Sequence, residues 1–305
     1  MLPELLRGPA RRVVCSRTAF MLFQRLGLHV VPNHLSQPIP DTSRLKDALW
    51  SKHSELPGIE IDERKQLDLL SLFVSKFKDE YEQFPRKRTA IPYEYHLGNG
   101  WFESVDGEIL YCMFRHFKPR RVYEIGSGYS TYLSAQAIRK NAEQDSSYQC
   151  ELVAIEPHPN ETLRAGFPGL SRLAVSQVQD IPLSEFERLR ENDILFIDSS
   201  HVLKIGSDVQ YEYLDILPRL NKGVIVHVHD IFLPAEYPKE WVLELRMFLT
   251  EQYLLQAFLE FNESFEILWA GSYMHLNRAG ELESAFSSYH RNKTLPGSFW
   301  IRRTR

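Results

Sequence analysis

The sequence predicts an α/β protein built on a doubly wound, largely parallel sheet, preceded by a mainly helical extension. Three observations carry this. From Asp106 onward, short apolar runs alternate with amphipathic stretches, as strands joined by crossover helices require. Seven of those runs have the length and composition of strands. Acidic residues recur at the ends of the runs, which is the edge where open α/β sheets bind ligands.

In order, residues 1–105 form the extension and a candidate lid, and residues 106–305 form the sheet domain. Pro32, Pro38 and Pro40 mark a loop. Residues 63–84 carry Leu67, Leu69, Leu70, Leu72, Phe73 and Phe77 near helical spacing. Pro85 and Pro92 bracket a break, and the aromatic, glycine-containing stretch 93–102 suits a loop or lid. A helix over 106–117 leads into a strand over 121–125, and another helix starts at Ser130. Strands follow over 152–155, 173–178, 194–197 and 224–228, then one long helix over 239–260. Residues 265–269 and 298–301 supply the last two strands. They lack a clear crossover helix between them, so they fit an antiparallel pair at one edge.

The chain has 305 residues, 43% hydrophobic and 25% charged, which is a globular composition. A net charge of −4 speaks against nucleic acid as the main partner. Cys15, Cys112 and Cys150 stand far apart with no CxxC pair, which fits a reduced, cytoplasmic setting better than a disulfide framework. No apolar run approaches the ~20 residues that a membrane span needs. The first 30 residues carry Arg7, Arg11, Arg12 and Arg17 against the single acid Glu4. That segment is read as a helix packed on the body, with weak contact to a membrane surface or a transit peptide as alternatives. Three matches to the glycosylation sequon, at Asn160, Asn262 and Asn292, are read as chance.

Glu124, Glu156, Asp198 and Asp230 fall at or near strand ends, and Asp180 follows the remaining strand. The stretch Glu124-Ile125-Gly126-Ser127-Gly128 is the most informative. Its glycines allow a tight turn and a close approach of bare backbone to a ligand. Glu124 can neutralise a cationic amino group or anchor the turn, and Glu156 is placed to accept hydrogen bonds from two ribose hydroxyls. A nicotinamide dinucleotide turn of the form GxGxxG needs glycine where this chain has Thr131. A serine-hydrolase elbow cannot be drawn through Ser127 or Ser130.

On these residues the chain resembles the class I S-adenosylmethionine-dependent methyltransferases over about residues 106–303, with 124–128 similar to their motif I. The resemblance implies a Rossmann-like seven-stranded sheet with an antiparallel last strand. It also implies that Gly126, Ser127 and Gly128 border the methionine portion of the cofactor and that Glu156 binds the ribose. Gln179 and Asp180 resemble the segment beside adenine, with Asp180 facing its amino group.

A second constellation is Asp198-Ser199-Ser200-His201 with His229-Asp230 on the next strand. Oxygen and imidazole groups from Asp198, His229 and Asp230 suit Mg²⁺ or Mn²⁺, which would acidify an acceptor hydroxyl. His201 is the natural base, beside Asp198. The arrangement is similar to metal-dependent sugar O-methyltransferases of macrolide biosynthesis, where an aspartate and a histidine three residues later work with an acidic pair. His229 stands here where an acid is usual. The pattern also resembles a group of bacterial methyltransferases with the same lead-in. His227 is read as pointing to the opposite face from His229, and Tyr237 and Trp241 as aromatics able to stack on a flat acceptor.

The expected function is therefore O-methylation of a sugar, glycan or small metabolite. N- or C-methylation without metal, and a donor-fold binding protein without turnover, are the alternatives.

Overall fold

The computed structural model describes residues 8–305. The helices in chain order are α1 (Pro9–Val14), α2 (Arg17–Arg25), α3 (Ala48–Ser51), α4 (Glu63–Tyr81), α5 (Asp106–Phe117), α6 (Tyr129–Gln144) and α7 (Glu161–Ala165). They continue with α8 (Leu183–Phe186), α9 (Asp208–Tyr211), α10 (Lys239–Leu243), α11 (Glu251–Leu259), α12 (Gly271–Asn277) and α13 (Ala279–Ala285). The strands are β1 (Arg121–Ile125), β2 (Glu151–Ile155), β3 (Arg172–Ala174), β4 (Ile194–Ile197), β5 (Ile225–Val228), β6 (Phe265–Ala270) and β7 (Phe299–Arg303).

The described chain divides into two compact units. The smaller runs to Ser51 and takes in Pro238–Phe248, and the larger comprises Lys52–Tyr237 and Leu249–Arg305. In the smaller unit, Ser16 caps α2 by accepting from the Ala19 amide at 3.3 Å. Lys239 at the start of α10 pairs with Asp47 at 2.7 Å and lies over the Trp50 ring. The arginine-rich stretch expected to form an N-terminal helix lies partly outside the described residues, since Glu4 and Arg7 precede them.

The larger unit holds the sheet, in the order β3-β2-β1-β4-β5-β7-β6. Strands β1 to β5 pair in parallel, and β7 runs antiparallel between β5 and β6. Both the seven strands and the antiparallel edge thus match the expectation. The strand order reverses at β1, with β2 on one side and β4 on the other, which places a ligand crevice beyond their carboxyl ends.

Alternation along the central strands separates two cores. Ile194 and Phe196 of β4 enter one, and Leu195 and Ile197 enter the other. On the first face, α4 buries Gln66, Leu70, Phe73, Phe77 and Tyr81, a stripe at steps of three and four. Asp62 starts that helix by accepting from the Lys65 amide at 3.0 Å. Helix α5 is buried along nearly its whole length and stops at Lys118, whose left-handed φ of 48° precedes Pro119.

Two elements depart from the sequence expectation. The long helix over 239–260 is broken into α10 and α11. The backbone N–H groups of Thr250 and Glu251 donate to the His201 carbonyl, at 2.9 and 3.1 Å, instead of continuing a helical ladder. The strand over 173–178 is shortened to β3, because Val178–Asp180 turns into a single 3₁₀ turn. Among the described residues, no helix is long and apolar enough to cross a membrane.

Candidate active site

The turn after β1 is set by backbone contact. Gly126 has φ of +77°, and a Cβ there would fall 1.8 Å from the Asp198 carbonyl oxygen, so only glycine fits. At Gly128 a Cβ would meet nothing within 4 Å, which leaves the helix start open on that side. The Gly128 amide donates to Thr131 Oγ1 at 2.9 Å, so the residue that breaks the GxGxxG pattern caps α6.

Glu124 is wholly buried beneath the turn. Its Oε1 accepts from Ser130 Oγ at 2.6 Å, and its Oε2 has no protein partner. Burial pushes its carboxyl up to about 8, against the hydrogen bond from Ser130. Ser127 donates its amide to Glu156 Oε2 at 3.2 Å, and the His158 amide donates to Glu156 Oε1 at 2.8 Å.

A cavity of about 530 Å³ opens beside this turn, over the carboxyl ends of β1, β2 and β4. Gly126, Glu156, Gln179, Asp198, Ser200 and Asp208 are among its lining residues. The Gln179 side chain reaches the Gly206 carbonyl at 3.2 Å. Asp180, by contrast, is exposed at the end of its 3₁₀ turn and lies outside the lining. These groups fit a nucleoside cofactor: bare backbone at the bend, a carboxylate at the next strand end, and an unpartnered buried oxygen on Glu124.

The second cluster lies at the ends of β4 and β5. His201, 9% exposed and at φ of +56°, is gripped from three sides. Its Nδ1 lies 2.8 Å from Glu251 Oε2, and its Nε2 lies 3.2 Å from Asp198 and 3.5 Å from Asp230. Burial works against a charged ring. Hydrogen bonds to Asp198 and Glu251 outweigh it and hold the imidazole well above its ordinary range. Burial likewise opposes ionisation of Asp198, but the charge of His229 and the hydrogen bond from His201 lower its carboxyl to about 2.

His229 stands 3.7 Å from Asp230 Oδ1, with its ring against Phe102 at 4.9 Å between centroids. His227 is stacked on Phe196 at 4.0 Å and on His229 at 5.6 Å. It therefore shares the face of His229, and the reading that set the two on opposite faces is corrected: β5 keeps its two-residue repeat through position 229. Burial drives the His227 ring well below its ordinary range, which keeps it neutral among aromatics.

The three expected metal ligands do not converge on a shared open position. The His201 ring stands between the Asp198 and Asp230 carboxylates, and among the described residues no group of three or more His, Cys, Asp or Glu side chains is disposed to hold a metal ion. As placed, these residues do not fit a divalent cation.

The stretch 93–102 is a loop whose interior is tied down. Tyr95 Oη donates to the Phe102 carbonyl at 2.9 Å, and Asn99 Nδ2 donates to the carbonyls of His96 and Phe102, both at 2.7 Å. Near its end, Trp101 is largely exposed, at 82%. Tyr237 is buried, with its hydroxyl accepting from the Gln252 amide at 2.9 Å, so it serves as packing within its unit.

Sequence reasoning missed three acids. Glu251 opens α11 and holds His201. Asp208 accepts from the Ser200 amide and hydroxyl at 2.9 and 2.6 Å, and buried Glu212 accepts from Ser199 Oγ at 3.1 Å. The one available signal was Thr250-Glu251, a helix-start pair inside what reads as a continuous helix.

Sheet order, glycine turn and the acid on the neighbouring strand define an S-adenosylmethionine-dependent methyltransferase. A family model described as a methyltransferase domain matches residues 123–231. An uncharacterized protein of Archaeoglobus fulgidus is 31% identical over 170 residues, spanning 53% of this chain and 75% of that protein. The matched stretch, which runs from β1 to just past β5, is a methyltransferase domain. Among solved structures, apo CmcI aligns with a TM-score of 0.39 and 14% identity, over 74% of this chain and 84% of its own. A Mg–SAM form of CmcI gives 0.36 and 14% over the same shares.

Proposed function

We propose that the protein methylates a hydroxyl oxygen of a small, hydroxyl-rich acceptor, such as a sugar, glycan or related metabolite, with His201 as the proton acceptor. S-adenosylmethionine supplies an electrophilic methyl group on a sulfonium, held by Gly126, Ser127, Gly128, Glu156 and Gln179. An alcohol attacks well only as its proton leaves, whereas a neutral amine attacks through its own lone pair.

One observation carries the reading. His201 follows directly on the cavity-lining residues Asp198, Ser199 and Ser200, with Nδ1 on buried Glu251 and Nε2 turned toward Asp198 and Asp230. A buried carboxylate on Nδ1 fixes the ring, as in a serine-protease triad, and Nε2 takes a proton only once the imidazole has given up the charge that Asp198 and Glu251 favour. Asp198 and Asp230 retain lone pairs for acceptor hydroxyls. His201→Ala is expected to lower kcat by about 10² to 10⁴ while calorimetric affinity for S-adenosylhomocysteine stays unchanged. A fully active variant removes His201 from this role and with it the hydroxyl reading.

A further inference from the structure

The sequence from Leu5 to Pro40 contains Arg7, Arg11, Arg12, Arg17 and Arg25 and no aspartate or glutamate. In the described part, α2 buries none of its residues. Arg17, Met21 and Arg25 follow one another at steps of four and so share a face of that helix, with Leu22 and Leu26 one position further round. Leu22 is 57% exposed, Leu26 66%, and Val13 just before them 69%. Aliphatic side chains in water beside cations of a single sign make an interfacial pattern: the apolar groups enter the headgroup boundary while the arginine stems extend to its charges.

We infer that α1 and α2 dock the enzyme on the surface of an anionic lipid bilayer. The charge pattern selects this occupant. A second copy of the same face would bring arginine against arginine with no acid to pair it. A nucleic acid would match the charge but leave Val13, Leu22 and Leu26 in water. Only a lipid surface is complementary to both halves, and basic residues near an anionic leaflet add to the apolar contribution.

The test uses the full-length chain and vesicles of phosphatidylcholine alone or mixed with phosphatidylglycerol, read by co-sedimentation. Binding is expected with the mixed vesicles only, and raised salt should weaken it. Arg17→Glu with Arg25→Glu is expected to lower partitioning at least about tenfold, as is Leu22→Ser with Leu26→Ser. Affinity for S-adenosylhomocysteine is expected to stay unchanged in both variants, which also reports that they fold. Equal sedimentation with both vesicle types, no sedimentation with either, or a concentration-dependent dimer dissolved by the same substitutions would overturn the inference.

Discussion

The ends of β1 and β2 and the ends of β4 and β5 form two halves of one sheet edge, built on opposite principles. The first is made mostly by backbone: Gly126 against the Asp198 carbonyl, the Ser127 amide on Glu156, the Gly128 amide on Thr131. The second is made by side chains drawn from distant stretches: Asp198 and His201 after β4, Asp230 after β5, Glu251 at the start of α11. Shape governs the first half and charge the second. Substitution of a small residue should therefore damage the one, and removal of a proton site the other.

The sharpest way to break this comparison is Gly126→Ala. The added methyl meets a carbonyl oxygen at 1.8 Å in a backbone conformation that side chains disfavour. A destabilisation on the order of 3 kcal/mol is expected, visible as a lowered Tm, together with loss of donor binding by calorimetry. Wild-type affinity in this variant would mean that the turn is not held by shape.

A smaller effect is expected from Glu251→Gln, which keeps the volume but removes a buried negative charge. A drop in kcat of about tenfold or more is expected, with donor affinity preserved. The pH dependence gives the sign. His201 accepts a proton only when neutral, so turnover should rise with pH through its elevated value. Losing the Glu251 anion makes the ring easier to deprotonate, so the rising limb should move to lower pH. A profile that stays in place would detach Glu251 from His201.

The smallest effect is expected from exhaustive chelation, which should leave the rate unchanged because an imidazole already bridges Asp198 and Asp230. Activity lost on chelation and restored by Mg²⁺ would return the cation to the second half.

The same contrast explains what was legible in the sequence. Strands, their count and the glycine turn could be read because apolar runs and glycine spacing are local signals. The Gly126 turn is contained within five residues, and Glu156 follows at the next strand end. His201 and Asp198 were also readable, being three apart. Glu251 was not, because its role arises only when α11 begins against the His201 carbonyl, fifty residues from the motif it serves. The uninterrupted helix expected over 239–260 hid that start: its apolar spacing continues across a break imposed by tertiary hydrogen bonds. Gln179 and Asp180 show the limit of neighbour-level reading, since a 3₁₀ turn sends one to the cavity and the other to solvent.

Thr131 has one more consequence. Helix starts that grip a diphosphate do so by leaving amides bare and keeping anions away. Here the first two amides past Gly126 are already taken, one by a hydroxyl and one by a carboxylate. A pyrophosphate would meet a negative group where it seeks donors, whereas a positively charged donor finds a welcoming field. Two hydrogen bonds at a single bend thus leave a diphosphate without the free amides it would need.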